Sequence, residues 1–503
     1  MHPIPKVRCL FVLLASLAIA ACGNGGSAAT DGASSAPAGA PRIERAPGPA
    51  GGDPNAAEAR PWNIVYILAD DLGWNQVGYH GSDYYETPSI DSIALAGMQF
   101  SNAYAANAVC SPTRASLMTG KNPARLGLTD YIPGSPYPYA RLSRPGAGPA
   151  LALEEVTLAE LLKSRGYVTG HFGKWHLNVD KNYAPGRPGD PESQGFDEVL
   201  ATVKPEYDDD PAGDAHHAVA ITERSLDFID RHRDVPFFLY VSHHVVHRPL
   251  MERAELVEKY AAKPGADDPV NNPEMGAMIE TMDEGIGRIL ERLDDYGLAQ
   301  RTIVVFYSDN GGLERLQSQA PFRGGKATIW EGGVRVPLAV RWPGVVEPGS
   351  ADDSLVISDD FFPTFADIVG VSVADDIDGV SLVPLLTQSG SLARDALYFH
   401  YPHYHHLGDR PAGAIRQGDY KLIEWFEGSV AGMGPAVSLY DLANDPGETT
   451  DLAGERPELA ESLLERLRAW RREVGAGEMT PNPDFESERA DWRFVDEHGG
   501  DLR

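Results

Sequence analysis

The sequence predicts an α/β fold in which helices sandwich a large mixed, mostly parallel β-sheet, followed by a smaller C-terminal α+β domain with an antiparallel sheet. Short, nearly continuous apolar segments recur along the chain and are typical of strands buried on both faces. Segments with the helical spacing of apolar residues lie between them, and this alternation indicates a parallel sheet. Near the C-terminus, a hairpin pattern and a further helical pattern predict the second domain.

Four apolar segments predict the strands at the centre of the large sheet. Each is too short for a helix of ordinary length and leads directly into polar residues. The predicted strands cover Asn63–Ala69, 166–172, 236–241 and 302–307, and helical patterns cover 153–165, 219–232 and 275–293.

The C-terminal part contains the patterns of a small antiparallel domain. Residues 413–423 predict a hairpin with a Gly-Asp turn. Pro457–Val474 has the apolar spacing of a helix that docks back on the protein. Beyond Gly475 the chain is acidic and poor in aromatic residues, so we expect a loosely attached tail.

The N-terminus is typical of an export signal. Lys6 and Arg8 precede an uncharged apolar segment, 9–21, that is too short for a comfortable membrane span. The next residue, Cys22, closes a segment (LAIAAC) that resembles bacterial lipoprotein signals, which are cut before a cysteine that then receives lipid. We therefore expect a signal peptide over 1–21, a lipid anchor at Cys22, and an exported periplasmic or outer-membrane/cell-surface lipoprotein.

A plain signal peptide cut near Ala20 or Ala21 is the alternative. Residues 22–60 are mostly Gly, Ala, Ser, Pro and Asp, which predicts a flexible linker. Either cleavage removes Cys9 and leaves Cys110 without an obvious disulfide partner. The stability of the exported protein must then come from a large core.

Polar residues follow each predicted strand, and together they predict a metal site. The formal net charge of −30 argues against nucleic acid as a partner, and an anionic substrate would need local positive charge or a metal. Because the carboxyl ends of parallel strands meet at one edge of the sheet, Asp70 and Asp71 should lie near Asp309 and Asn310. Three carboxylates and an amide suit Ca²⁺ or Mg²⁺ better than zinc. The alternatives are a helix cap or turn at the Asp-Asp pair and a simple turn at 309–312.

Cys110 lies at or just before a predicted helix start. Pro112 suits the first turn of that helix and Gly120 its end, while Arg114, one turn in, can fold back toward Cys110. Backbone N–H groups at a helix start favour negative charge, so we expect a thiol here to have a depressed pKa and to be able to act as a nucleophile. The alternative is a small buried core residue.

The segments AVCSPTRASLMTG (108–120) and GYVTGHFGKWH (166–176) resemble the signatures of the type I sulfatase family, and the resemblance extends from about residue 63 to residue 452. AVCSPTRASLMTG matches the first family signature, and GYVTGHFGKWH matches the second, with Phe172 where a smaller residue is usual. The resemblance implies an alkaline-phosphatase-like fold with a catalytic domain over 61–385, a C-terminal subdomain over 386–480 and a tail over 481–503. The matching segments are 108–120, 166–176, the Asp-Asp pair at 70–71, 308–312, 323–337 and 438–453.

The resemblance also implies a cofactor and a role for each matching residue. In that family a maturation enzyme converts the signature cysteine to Cα-formylglycine during export, which would make residue 110 a 3-oxoalanine. One Ca²⁺ is then expected to be held by Asp70, Asp71, residue 110, Asp309 and Asn310. The implied catalytic residues are Cys110, Arg114, Lys174, His176, His247 and Lys326; Lys174, His247 and Lys326 would also bind substrate, with Arg323 and His243 as further candidates.

This residue set suits the hydrolysis of a sulfate monoester, which is a weakly electrophilic anion. Attack on sulfur needs charge neutralisation and a positioned nucleophile. In the implied mechanism one hydroxyl of the hydrated aldehyde attacks sulfur, and His247, with Lys326, protonates the leaving oxygen. The second hydroxyl then loses its proton to His176, sulfate is expelled and the aldehyde is restored. An ordinary Ser or Cys has no second hydroxyl that can expel sulfate in this way, so its sulfate ester would need slow hydrolysis.

The substrate is predicted by family analogy to be sulfated carbohydrate. Three other functions remain open: a phosphate or phosphonate ester hydrolase of the same superfamily, which often uses two metals; a non-catalytic lipoprotein that binds sulfated glycans; and a cysteine hydrolase. Residues 401–406 could stack on a sugar ring. The candidate rim residues are Arg187, His216, His217, His243, Arg323, His403, Tyr404, His405 and His406.

Overall fold

An eight-stranded mixed sheet lies at the centre of the protein. The computed structural model describes residues 61–179, 183–491, 493–495 and 500–502. The strands are β1 (Asn63–Ala69), β2 (Met98–Phe100), β3 (Ala103–Tyr104), β4 (Leu142–Ser143), β5 (Val168–Gly173), β6 (Glu198–Ala201), β7 (Phe237–Ser242), β8 (Thr302–Ser308), β9 (Leu338–Arg341), β10 (Ser350–Asp352), β11 (Val356–Ile357), β12 (Ala396–Tyr401), β13 (Ala412–Gln417), β14 (Tyr420–Trp425), β15 (Val437–Asp441), β16 (Thr480–Pro481), β17 (Arg493–Val495) and β18 (Gly500–Leu502).

The strand order in the large sheet is β10-β2-β9-β8-β1-β7-β5-β6. Strands β8, β1, β7, β5 and β6 are mutually parallel, and β9 runs antiparallel to β8 and β2. Three two-stranded sheets pair β11 with β3, β16 with β4 and β17 with β18. The predicted mixed, mostly parallel sheet is confirmed, and all four predicted strands belong to its parallel part.

Helices cover both faces of this sheet. Among the described residues none of them is both long and apolar enough to span a membrane. The helices are α1 (Pro88–Leu95), α2 (Cys110–Thr119), α3 (Pro123–Leu126), α4 (Leu158–Lys163), α5 (Ala218–His232), α6 (Ala254–Ala261), α7 (Pro273–Asp295), α8 (Glu331–Val334), α9 (Phe361–Ile368), α10 (Val383–Leu386), α11 (Phe426–Ala431) and α12 (Pro457–Val474).

The apolar character of β1 reflects burial on both of its faces. Tyr66 belongs to a core cluster that includes residues of α2, α4 and α9, whereas Val65 and Ile67 belong to a second cluster that includes residues of α1, α5 and α7. Successive side chains of a strand point to opposite faces, so a strand between two helical layers needs apolar residues at every position. Phe172, the departure from the family signature, is fully buried in the second cluster against Phe228.

The predicted C-terminal antiparallel sheet is confirmed and contains strands β12-β13-β14-β15. The Gly-Asp turn joins β13 to β14, where Gln417 pairs with Tyr420 and Gly418 has φ +56°. Helix α12 packs its buried face, including Leu463 and Leu467, against one face of this sheet. The helix has the predicted bounds.

Two local expectations differ from the structure. The helix predicted over 153–165 is α4 alone, because Thr157 starts it with a capping box in which Thr157 and Glu160 exchange hydrogen bonds. The chain after Gly475 is not loosely attached throughout. Met479 is 5% exposed within a small apolar cluster, and β16 pairs with β4.

The predicted signal peptide 1–21, the lipidation site Cys22 and the linker 22–60 lie outside the described residues, as does part of the predicted tail.

Candidate active site

The carboxyl ends of β1 and β8 place four polar side chains together. The two strands are parallel neighbours, with Ala69 paired to Ser308, so the residues that follow them emerge side by side. Asp70, Asp71, Asp309 and Asn310 are all at most 1% exposed. The backbone N–H of Asp71 and the Asn310 amide tie the two strand ends together, because they donate to Asp309 Oδ1 at 3.2 Å and Asp71 Oδ1 at 2.8 Å.

Cys110 faces this carboxylate group from the first residue of α2. Its Sγ lies 3.5 Å from Asp70 Oδ1 and 4.0 Å from Asp71 Oδ1. Burial, followed by the Asp309 carboxylate, raises the pKa of the thiol to about 12. The depressed pKa that the helix start predicts is therefore wrong, since burial and nearby negative charge outweigh the helix dipole. An unmodified Cys110 in this arrangement is a poor nucleophile.

Three buried cations each contact one of the three carboxylates. Arg114 Nη2 lies 2.7 Å from Asp309 Oδ2, Lys174 Nζ lies 2.6 Å from Asp70 Oδ2, and Lys326 Nζ lies 2.7 Å from Asp71 Oδ1. Burial opposes the ionisation of Asp71, but Lys326, His247 and Lys174 lower its pKa below the ordinary value. Burial and the Asp70 carboxylate raise the pKa of Asp309. The site thus concentrates charge of both signs in a volume that excludes water.

The close approach of β5 to β7 explains the glycine before Lys174. Gly173 has φ +118°, and a Cβ at this position would lie 1.8 Å from the carbonyl oxygen of Ser242. The backbone N–H of Lys174 donates to that same oxygen at 2.8 Å. A side chain at residue 173 would push the two strand ends apart and move Lys174 away from Asp70.

His247 presents one ring nitrogen to the carboxylates. Its Nδ1 lies 2.7 Å from the carbonyl oxygen of Arg248 and donates to it, so Nε2 is left at 4.0 Å from Asp71 Oδ2. Burial, followed by the Lys326 ammonium, lowers the pKa of His247. The side chain is 21% exposed, which leaves it accessible from solvent.

His176 contacts a backbone carbonyl through the other ring nitrogen, Nε2. Its Nε2 donates to the carbonyl oxygen of Ile132 at 2.6 Å, while Nδ1 is buried without a hydrogen-bond partner among the described residues. Burial, followed by the Lys174 ammonium, lowers the pKa of His176. The ring is therefore a neutral acceptor at Nδ1, as a proton-accepting group requires.

A cavity of about 660 Å³ opens beside these residues. Lys174, His176 and His247 form its wall nearest the carboxylates, and its volume suits a ligand larger than sulfate. The remaining lining combines aromatic and polar side chains, among them Tyr131, Trp175, Asn178, Tyr183, Thr202, Lys204, Glu206, Asp209 and His244.

Two of the predicted substrate-binding residues lie elsewhere. His243 is fully buried, with no hydrogen-bond partner for either ring nitrogen among the described residues, and His244 lines the cavity instead. Arg323 stacks on the Trp330 ring at 3.8 Å and donates to the Glu448 carbonyl at 3.1 Å, and it does not line the cavity.

The other candidate rim residues have mixed positions. His216 Nε2 contacts the carbonyl oxygen of His247 at 3.1 Å, and Arg187 pairs with Asp190 at 2.9 Å. His403 is 1% exposed and contacts Thr129 Oγ1 at 2.8 Å. Segment 401–406 reaches the cavity indirectly, through the ring of His405, which lies 5.4 Å from the Tyr131 ring.

Sequence reasoning missed most of the cavity lining. Thr202, Lys204, Glu206 and Asp209 belong to the segment that follows β6, where no motif marks them. His244 carried a signal, because it lies in the same histidine-rich segment as His247.

The carboxylate group fits a metal ion. One ligand atom from each of Asp70, Asp71, Cys110 and Asp309 lies within 4.8 Å of the others, and this is the one such group among the described residues. Asn310 Oδ1 is buried without a hydrogen-bond partner there, as expected for an oxygen that coordinates a cation. Hard oxygen ligands of this kind select Ca²⁺ or Mg²⁺.

Comparison with known proteins assigns the chain to a family. The sulfatase family profile matches residues 62–371. The chain belongs to the sulfatase family. A second profile, described as the C-terminal part of N-sulphoglucosamine sulphohydrolase, matches residues 325–473 of this sulfatase.

Relatives of this sulfatase cover most of its length. A sulfatase of Formosa agariphila is 32% identical over 81% of this chain and 88% of the relative, and arylsulfatase A of Homo sapiens is 32% identical over 82% and 89%. The crystal structure of Ps i-CgsB with k-i-k-neocarrahexaose shares 25% identity and a TM-score of 0.69, over 85% of this chain and 96% of that chain. This sulfatase is therefore a sulfuric ester hydrolase with an alkaline-phosphatase-like fold.

Proposed function

We propose that this sulfatase hydrolyses sulfate monoesters of carbohydrates with a Cα-formylglycine at position 110 and one Ca²⁺. The observation that carries the proposal is the position of Cys110. Its Sγ lies 3.5 Å from Lys326 Nζ and 3.5 Å from Asp70 Oδ1, beside a cavity with room for a sugar. A Cα-formylglycine would supply a hydrated aldehyde. One hydroxyl would attack sulfur, and loss of the proton of the second would restore the aldehyde and expel sulfate.

Asp70, Asp71, Asp309 and Asn310, with residue 110, would hold the calcium ion. When bound, Ca²⁺ neutralises the carboxylates and withdraws charge from a sulfate oxygen.

Lys174 and Lys326 bind the sulfate oxygens. Each ammonium group contacts a carboxylate of the site, and each side chain is 9% exposed. Arg114 is fully buried and donates to Asp309, to Ser242 Oγ at 2.6 Å and to the Lys174 carbonyl at 3.0 Å. We infer that Arg114 orients Asp309 and Lys174, while the two lysines meet the substrate. In a site that excludes water such fixed charges act strongly on the developing charge of the transition state.

Two histidines move protons in the proposed reaction. His247 presents Nε2 and, in its protonated form, donates to the leaving sugar oxygen. His176 presents an unprotonated Nδ1 and accepts the proton that must leave residue 110 before sulfate departs. Their fixed carbonyl contacts, to Arg248 and Ile132, hold the two rings in these orientations.

The cavity supports a sugar as the leaving group. Tyr131, Trp175 and Tyr183 supply ring faces, and His244 and Asn178 supply polar atoms. The relative with the bound neocarrahexaose also supports a carbohydrate substrate. We further propose maturation by a formylglycine-generating enzyme and, from the N-terminal sequence alone, export as a periplasmic or outer-membrane/cell-surface lipoprotein anchored at Cys22.

The test is sulfate release from a panel of sulfated saccharides, with 4-nitrophenyl sulfate, 4-nitrophenyl phosphate and a phosphonate ester alongside. We expect turnover of sulfate esters by matured protein and none by Cys110→Ala. A clear preference for the phosphate or phosphonate ester would favour the rival hydrolase. Saccharide binding without turnover by matured protein would favour the glycan-binding protein, and retained activity of Cys110→Ala would contradict the role of residue 110.

A further inference from the structure

Two arginines, Arg248 and Arg315, line a cleft together with Lys326, outside the lining of the large cavity. Arg248 directly follows His247, and Arg315 belongs to the loop after β8. Both line a small cleft of about 20 Å³ together with Lys326, and Leu313 and Leu407 form apolar parts of its wall. The cleft and the large cavity therefore approach the same reacting centre from two sides, because Lys326 lines one and His247 the other.

The guanidinium groups of Arg248 and Arg315 have no ion-pair or hydrogen-bond partner in the part of the chain that the structure describes. They lie in a chain that has 73 acidic residues and only 43 lysines and arginines. Other arginines near the site are engaged, since Arg114 pairs with Asp309 and Arg187 with Asp190. Two guanidinium groups without partners in one cleft can bind an anion, because a guanidinium binds carboxylate and sulfate oxygens through paired N–H donors.

The charges around the cleft support this assignment. One acidic residue, Glu314, also lines the cleft, but no carboxylate oxygen of it lies within ion-pair distance of either arginine. On the other side of the site, the large cavity carries the exposed carboxylates of Glu206 and Asp209. Lys174, Lys204 and Asp190 also line the large cavity, so its charges nearly balance, whereas the cleft has three cationic side chains and one carboxylate. A second anionic group of a substrate would therefore be attracted more strongly to the arginines.

We propose that Arg248 and Arg315 form a subsite for a second anionic group of the substrate, a carboxylate or another sulfate ester. The inference rests on the proposed function and deepens it: the substrate is an acidic saccharide with at least two negative groups. One sulfate ester reacts at residue 110, and the second anion lies in the cleft beside Lys326. The two arginines are specificity-determining residues in this account, with no role in proton transfer.

The experiment measures inhibition of 4-nitrophenyl sulfate hydrolysis by three matched saccharides. One carries a single sulfate ester, one carries two, and one carries a sulfate ester and a uronate carboxylate. For the wild-type protein, we expect at least one dianionic saccharide to bind about tenfold more tightly than the monosulfated one, as charged hydrogen bonds predict. Whichever dianion gains affinity identifies the second group as sulfate or carboxylate.

For each variant, the inhibition constant of the monosulfated saccharide is divided by that of the dianionic saccharide that binds the wild type more tightly. A loss of affinity that affects both saccharides equally leaves this ratio unchanged. Arg248→Ala and Arg315→Ala should each reduce the preference for the dianion to about twofold or less. Arg472→Ala removes an exposed arginine of α12 and should keep the wild-type ratio. Equal ratios in the wild type and both cleft variants, or no preference for any dianion in the wild type, would overturn the inference. If matured protein hydrolyses none of the sulfate esters, the proposed function and the inference are both overturned.

Discussion

Lys326 Nζ lies 3.5 Å from Cys110 Sγ, although 215 residues separate the two in the chain. The same ammonium group lies 2.7 Å from Asp71 Oδ1. Lys326 therefore joins the candidate nucleophile to the candidate metal ligands. This contact depends on the glycine-rich loop before α8, where the Lys326 N–H donates to the carbonyl oxygen of Gly312 at 2.8 Å.

Replacement of Lys326 by methionine should lower kcat for sulfate esters by about 10²–10³-fold, the loss typical of a single preorganised charge donor. Methionine keeps most of the side-chain volume, so the loss reflects the charge. Steady-state kinetics of matured protein measures it, and thermal unfolding checks that the variant folds. A kcat within about threefold of the wild-type value would contradict a role for Lys326 in the transition state.

Replacement of His247 by glutamine should affect poor leaving groups most. A sugar alkoxide needs a proton as it departs, whereas 4-nitrophenolate does not, so the loss in kcat should be about 10²–10⁴-fold for a sugar sulfate and much smaller for 4-nitrophenyl sulfate. In the wild type the pH profile of kcat/KM for the sugar sulfate should fall as pH rises through the pKa of His247. Because burial and Lys326 lower that pKa, the fall should begin below the ordinary histidine value. Equal losses for both substrates would contradict His247 as the general acid.

Removal of the proposed calcium ion should reduce both activity and stability. Ligand that binds only the folded state at 100 times its Kd stabilises that state by about 2.7 kcal/mol, so chelation should lower the melting temperature by several degrees. Asn310→Ala removes the oxygen that lacks a partner and should weaken Ca²⁺ binding by about tenfold or more. Titration calorimetry of matured protein measures that affinity. Unchanged affinity in Asn310→Ala would remove Asn310 from the ligand set.

Asp359 should make the protein less stable as pH rises. Its side chain is 3% exposed and its Oδ1 has no hydrogen-bond partner among the described residues. Burial, followed by the Asp378 carboxylate, raises the pKa of Asp359 to about 7. A raised folded-state pKa favours the folded protein below the unfolded value near 4, and this contribution is lost as pH climbs from about 4 to about 7.

Asp359→Asn should therefore stabilise the protein more at pH 8 than at pH 5, by up to about 4 kcal/mol at the higher pH. Urea unfolding at both pH values measures the difference. The neighbouring Asp360→Asn is a matched contrast, since Asp360 pairs with Arg394 at 2.7 Å and its loss should destabilise the protein at both values. If Asp359→Asn changes the free energy of unfolding equally at pH 5 and pH 8, ionisation of Asp359 does not destabilise the folded protein at high pH.

The parts of the site at strand ends were predictable from the sequence. Asp70 and Asp309 each follow a continuous apolar segment, and the rule that ligands bind beyond the carboxyl ends of parallel strands brings them together. The large sheet was predictable for the same reason, because burial on both faces leaves an unbroken apolar signal in each strand.

The cavity and the thiol pKa were not predictable in this way. Thr202 Oγ1 lies 2.9 Å from His244 Nε2, and the two residues follow β6 and β7, which are separated in the sheet by β5. The apolar periodicity of the sequence does not predict that contact. The distinction between His243 and His244 depends on how the chain turns after β7. The raised pKa of Cys110 depends on burial and on Asp309, a residue distant in sequence whose charge a local motif does not reveal.

The most direct test of the account is the mass of the peptide that contains residue 110, measured on protein isolated from its own host. The account predicts a mass in which the thiol of Cys110 is replaced by an aldehyde oxygen, and sulfatase activity in proportion to the modified fraction. Unmodified thiol throughout a preparation that still hydrolyses sulfate esters would contradict the formylglycine mechanism.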